Sequence, residues 1–401
     1  MESTIAASAK AKLTGAARLA TIWLGLLIVL GPFHGSAHAL PQFSLVTGNR
    51  CVNCHVNAQG GGLRDELGRY SMEETGLIRP ERNPLRAPNA LWNGKVLIGA
   101  DARVQMARSH VSPDASRRFF PMQASVYGAY EPASWMQLEG SYNAGPKKYD
   151  GQRTWSASVL IQPSFLYPQI RAGHFQPSVG IRYDDHTMLV RQVAEVSGGS
   201  SLIAPNYAEY GIEALYNRLR WLSLTVGIHR SSGLAENSVV NRSGQRVSVV
   251  GDKEGPSYLG RIVLWPRAAR GLWNFYLGGS GLVNGDFQLL SLFGGAGLRD
   301  RGSFMSELTM SKIEGLRRTR NLSVDLAWQA RESLVLYLRG DLARTTHPRA
   351  NGTDVSLSTR QAVLGAQVFL MPGIEFRPEY RLMDTETFRS VRYALQLHVF
   401  Y

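Results

Sequence analysis

The sequence has almost no cysteine: two in 401 residues, at positions 51 and 54. That number and spacing exclude a disulfide framework and commit both thiols to one short motif. Long apolar runs are scarce too. Beyond the first 40 residues none approaches the roughly 20 residues that a membrane-spanning helix needs. Charge is plentiful but not concentrated. Lys and Arg number 44 against 31 acidic residues, a net charge of +13, yet the basic side chains are scattered and form no stripe. Nucleic acid is therefore not an expected partner, and an arginine-rich lumen or surface accounts for the charge.

The N-terminus reads as an address. Lys10, Lys12 and Arg18 form a basic region, Leu19 to Leu30 an apolar run, and Ala37-His38-Ala39 a small-residue cleavage pattern. Residues 1–39 are thus expected to be a signal peptide, with the mature chain starting at Leu40. A membrane anchor is the competing reading, but a run of about a dozen apolar residues is short for it.

Next comes Thr47-Gly48-Asn49-Arg50-Cys51-Val52-Asn53-Cys54-His55. Two thiols three residues apart can each add to one vinyl group of a porphyrin, and the following His is then held beneath the iron. Gly60, Gly61 and Gly62 would let the backbone approach a flat macrocycle. A redox dithiol has no need of the adjacent His, and a zinc site lacks further Cys. The expectation is one covalent haem c on Cys51 and Cys54, with His55 as axial ligand. Met72, in a predicted helix over Arg64–Thr75, is a candidate sixth ligand; packing that helix onto the haem is its plainer role.

From Lys95 onward the character changes. Val96, Ile98, Ala100, Ala102 and Val104 share one face, and Asp101, Arg103 and Gln105 the other. Leu336, Leu338 and Leu342 oppose Tyr337, Arg339 and Asp341; Ile374, Phe376 and Tyr380 oppose Glu375, Arg377, Glu379 and Arg381. Such period-2 patterning marks half-buried strands. Seven tight turns, among them Glu131-Pro132-Ala133 and Met371-Pro372-Gly373, alternate with eight other connections. Longer members lie near Ser109–Arg118, Pro177–Tyr207, Ser231–Pro256 and Thr345–Thr359; shorter ones lie near Asn284, Gly315 and Asp384. About 16 antiparallel strands follow, with both barrel ends in the periplasm, as in an outer-membrane barrel. Tyr393, Leu395, Leu397, Val399 and Tyr401 alternate to an aromatic end that resembles a barrel-assembly signal.

The fold class is therefore all-β: residues 40–92 a haem-binding segment, expected to plug the barrel, and 93–401 a transmembrane barrel contacting outer-membrane lipid. Parity turns Arg103, Glu139, Arg339, Asp341, Glu375, Arg377, Glu379 and Arg381 inward, with His229 and His398; Met106, Met122 and Met136 face lipid.

This arrangement resembles the fused cytochrome–porins of the outer membrane known from iron-oxidising bacteria. The resemblance rests on the architecture, Thr47-Gly48, Cys51 to His55, and Leu67-Gly68-Arg69. It implies outer-membrane electron transfer, with Cys51 and Cys54 as thioether sites and His55 as proximal ligand. Gly173-His174-Phe175-Gln176-Pro177 also resembles a strand segment of phosphate-selective porins. The function expected is an electron relay rather than a classical enzyme. It would connect a periplasmic carrier, such as a soluble cytochrome, to a small external donor or acceptor, with ferrous iron one candidate. The competing reading is a diffusion porin whose haem is a structural plug or redox sensor.

Overall fold

The computed structural model describes residues 41–57, 60–71, 75–78, 85, 88–111, 114–145, 155–181, 188–194, 202–203, 207–235, 238–240, 246–248, 255–266, 272–348, 353–386 and 388–401. The signal peptide and Met72 lie outside the described residues.

The first seven barrel strands are β1 (Val96–Val111), β2 (Asp114–Ala133), β3 (Met136–Asn143), β4 (Trp155–Ile161), β5 (Gln169–Phe175), β6 (Glu209–Tyr216) and β7 (Leu222–His229). Nine more follow: β8 (Ser257–Leu264), β9 (Trp273–Asn284), β10 (Phe287–Leu298), β11 (Gly302–Ile313), β12 (Arg317–Arg331), β13 (Leu334–Pro348), β14 (Asp354–Met371), β15 (Ile374–Thr385) and β16 (Arg389–Phe400). Each pairs antiparallel with its neighbours in sequence, and β16 returns to β1, from Ser390 opposite Val111 to Phe400 opposite Asp101. The result is a closed barrel of 16 strands, the expected fold class.

Alternation decides which way each side chain points. In β12, Leu322 and Leu326 are exposed outward, while Asn321 and Ser323 are buried in the lumen. The exposed apolar surface is a band that only lipid can cover. Aromatic residues mark both its edges: Trp135, Tyr167, Trp221 and Trp273 near one rim, Tyr142, Trp155, Tyr210 and Tyr258 near the other. Such girdles sit at membrane–water boundaries. The protein is an outer-membrane β-barrel.

Charge goes the other way. Arg103, Arg339, Asp341, Glu375, Glu379 and Arg381 are buried in the lumen, and Glu139 and Arg377 lie among partners there. Lipid-facing Arg at the midplane would cost about 2–4 kcal/mol, so the inward face is the stable one. The lumen charges pair: Arg339 Nε lies 3.1 Å from Asp341, Arg381 bonds Glu379, and Arg171 bonds Glu139. Both histidines expected on this face are there. His229 Nε2 is 3.2 Å from Glu213, and His398 bridges Glu375 at 3.0 Å and Asp101 at 3.4 Å. Met106 is exposed on the lipid side, whereas Met122 falls at a bulge opposite Arg103 and Val104.

The connection expected near Ser109–Arg118 is instead strand: β1 runs to Val111 and β2 starts at Asp114. Backbone pairing continues there, from Ser109 opposite Ser116 to Val111 opposite Asp114, where the sequence no longer alternates apolar and polar residues. The connection between β5 and β6 also behaves unlike a surface loop. Its described residues turn into the lumen. Ser178 donates to Glu213, the Gly180 amide to Ser280 at 2.7 Å, and the Ala194 amide to Thr345 at 3.0 Å. Asn321 donates to the Val190 carbonyl at 3.1 Å. Val179, Val193, Leu202, Ile203 and Tyr207 pack there against Leu234, Leu259, Leu282 and Phe287. An apolar layer thus crosses the outer half of the lumen.

Candidate functional site

The segment before β1 lies in the other half. Helix α1 (Pro41–Thr47) presents Phe43 and Leu45 to the barrel wall. Phe43 packs with Val335, Tyr337, Val363, Phe369 and Phe400. Leu45 packs with Val263, Tyr276, Phe293 and Met305, and also with Ile181 of the inward loop. Segment and loop therefore meet inside the barrel. The wall is shaped for this contact. A Cβ on Gly297 would overlap the Leu45 carbonyl, and one on Gly295 would overlap the Leu45 side chain and the Phe304 backbone. Glycine within a strand marks such close approaches. Asn274 Nδ2 donates to the Leu45 carbonyl at 2.8 Å, and the Asp300 amide to Val46 at 3.1 Å.

Beyond α1, Cys51–Asn53 form a single 3-10 turn, and the His55 amide bonds the Cys51 carbonyl at 3.0 Å. The chain then folds back. His55 bridges Arg64, the Val56 amide bonds Leu63, and the Asp65 amide bonds the Cys54 carbonyl. The reversal passes through Gly60, Gly61 and Gly62, all with positive φ, a region that side chains with a Cβ avoid. Helix α2 (Glu66–Tyr70) follows, capped by Asp65, whose Oδ1 accepts from the Gly68 amide at 2.7 Å. Arg64 sits over the Phe400 ring at 4.7 Å and 3.8 Å from Asp101; Arg69 lies over Tyr401 at 5.8 Å and bonds the Leu85 carbonyl.

Gly68 is the tightest point of this fold. A Cβ there would overlap the Cys54 carbonyl oxygen. Gly68→Ala should therefore loosen the reversal by about 1–3 kcal/mol. Trypsin should then cut after Arg64 or Arg69, sites protected in the wild type, while the heat-shifted gel mobility of the barrel stays the same. Equal protection of both proteins would rule out this packing.

The structure brings Cys51, Cys54 and His55 together, with Cys54 and His55 buried. Burial pushes both thiols up, Cys54 to about 11 with the nearby Asp65 carboxylate adding to the effect. Redox dithiols work through lowered thiol pKa values, so the environment opposes that chemistry. Among the described residues, no three His, Cys, Asp or Glu cluster as a site for a bare metal ion. The donor set fits a haem c: two un-ionised thiols for thioethers and a buried imidazole directly after them. Gly60 lies against the set, with a Cβ there in contact range of Cys51 Sγ. Beside Val56 and Asn57 is a cavity of about 40 Å³, walled by Arg171, Arg261, Ser178, Thr225 and Trp265. Cofactor pockets are usually roughly 300 Å³ or more, so holding a porphyrin requires the segment or the inward loop to shift outward from this packing.

Several residues of this site carry no local sequence signal. Arg261 and Asn274 reach it from strands far along the chain. The glycines of β10, in Phe293-Gly294-Gly295-Ala296-Gly297, were the one available hint of a close approach.

No protein-family model matches the chain, and the curated proteins searched contain no match. Solved structures do match. OprB of Pseudomonas putida, in its high-pH structure, aligns at a TM-score of 0.52 with 12% identity, covering 77% of this chain and 94% of that one. The outer membrane channel DcaP of Acinetobacter baumannii gives 0.51 with 10% identity, covering 76% and 97%. An anion-selective porin from Comamonas acidovorans gives 0.51 with 11% identity, covering 76% and 99%. The likeness is one of fold: a porin-like barrel.

Proposed function

We propose that this porin-like barrel relays electrons across the outer membrane through one haem c, joined to Cys51 and Cys54 with His55 as its proximal ligand. The observation that carries the reading is the position of the donor set: Cys54 and His55 are buried inside the lumen of an otherwise insulating wall. A haem bound there supplies one-electron chemistry. The chain's own residues do the rest. Helix α1, seated against Gly295 and Gly297, fixes the segment from the periplasmic side. The inward loop and its apolar layer exclude water from the outer side. Arg171 and Arg261 line the cavity beside the site together with Glu213, and Arg171 is paired with Glu139. The partners are a periplasmic carrier such as a soluble cytochrome and a small external donor or acceptor, ferrous iron being one candidate. The external partner works at the mouth of the apolar layer, because the apolar band is about 25 Å tall.

The test uses liposomes loaded with an oxidised dye. An impermeant external reductant should reduce the dye through wild-type protein, and His55→Ala should slow this severalfold without raising ion leakage. The second reading is a diffusion channel, and its support is the likeness to porin barrels. A large wild-type conductance without dye reduction would decide for it.

A further inference from the structure

Along β3 to β8 the outer boundary of the apolar band is marked by aromatic side chains, Tyr142, Trp155, Tyr210 and Tyr258 among them. One arc of the barrel differs. On β12, β13 and β14 the outward rows run through Leu326, Leu322, Leu338, Leu342 and Leu364, and then reach arginine. Arg320 and Arg344 are direct cross-strand partners. Arg360 stands opposite Leu342, one diagonal step from Arg344. Arg318 is one outward position beyond Arg320, opposite Lys312. All four arginines are exposed on the outside of the barrel.

Like charges directly opposite one another in a sheet are destabilising. Among the described residues, none of these four arginines forms an ion pair with a carboxylate. Asp384 stands directly opposite Arg360 and is bonded by Arg389 at 2.9 Å, Glu314 lies near Arg318 and pairs with Lys312, and Glu386 accepts from Ser358 at 2.7 Å; the central Arg320–Arg344 pair has no acid opposite it. This patch, in which cations outnumber acids just above the apolar rows, lies at the depth of lipid headgroups. The guanidinium fork matches phosphate oxygens in pairs.

We propose that Arg320, Arg344 and Arg360, with Arg318 beside them, bind the phosphorylated headgroup of a glycolipid in the outer leaflet. The glycolipid is favoured over a soluble anion because the cluster faces away from the lumen and continues an apolar row, where acyl chains can lie on Leu322, Leu338 and Leu342. The site is independent of the haem segment, which lies on the other side of the wall.

The experiment compares full-length wild type with Arg320→Gln/Arg344→Gln/Arg360→Gln in non-ionic detergent with a divalent-ion chelator. The probes are bisphosphorylated lipid A, the same lipid after enzymatic dephosphorylation, and inorganic phosphate. Heat-shifted gel mobility checks that each barrel is folded. Removing the arginines should weaken lipid A binding on the order of fivefold each, roughly a hundredfold in all. Dephosphorylated lipid should bind wild type no better than lipid A binds the variant. A triple lysine variant should fall between, keeping charge without the fork. Undiminished binding by the glutamine variant overturns the site, as does equal affinity for the dephosphorylated lipid. Inorganic phosphate binding as tightly as lipid A would overturn the lipid assignment.

Discussion

Barrels lacking residues 42–88 should pass ions more readily than wild type, and barrels also lacking residues 182–203 should approach an open porin. Wild-type protein in planar bilayers is expected to conduct about tenfold less than an open barrel of similar strand number, since porin lumens are water-filled channels. Two separate obstacles predict this ordering. Phe43 and Leu45 press the N-terminal segment against β8 to β14 and β16 in the periplasmic half. Above it, the inward loop lays Val179, Val193, Leu202 and Ile203 across the outer half. Removing the first leaves the second, so the single deletion should give an intermediate increase. Wild-type conductance already at the open-porin level would mean that neither obstacle closes the pore.

Replacing Cys51 and Cys54 together by Ala should abolish haem staining of the denatured protein on a gel, whereas either single replacement should only weaken it. In the proposed haem c each thiol would make one thioether, so one remaining bond would still carry the group through denaturation. His55→Ala should keep the stain and lose the axial imidazole, visible as a changed absorption spectrum. These outcomes separate covalent haem from a dithiol, which would show no stain at all. Release of all haem from the wild type by acid–acetone would refute attachment. The two cysteines are not a disulfide in the structure, and burial holds their thiols un-ionised.

The barrel was legible because its periodicity is enforced by two solvents. Lipid demands Leu322, Leu326, Leu338 and Leu342 on one face, and the lumen tolerates Ser323, Arg339 and Asp341 on the other. Where one of the two constraints lapses, the reading fails. At the outer end of β1 and β2 the sequence stops alternating although the backbone stays paired, so a paired ribbon resembles a loop. The described residues of the inward loop have no period, because each answers to a different strand: Ser178 to β6, Gly180 to β9, Ala194 to β13. The cysteines and His55 form a local motif whose spacing alone carries the chemistry. Its setting does not, since Arg261, Asn274 and the glycines of β10 are brought to it only by closure of the sheet.

That closure also fastens what lies inside the barrel. The seam between β16 and β1 is also where the N-terminal segment is fastened. Tyr401 bonds Ala100 through its backbone at 2.8 Å and the Pro88 carbonyl through its hydroxyl at 2.9 Å. Asp101, beside that seam, meets both His398 and Arg64. The pairing that closes the ring and the contacts that hold the N-terminal segment thus share the same few residues, so a change at Asp101 or Tyr401 would loosen the wall and its contents together.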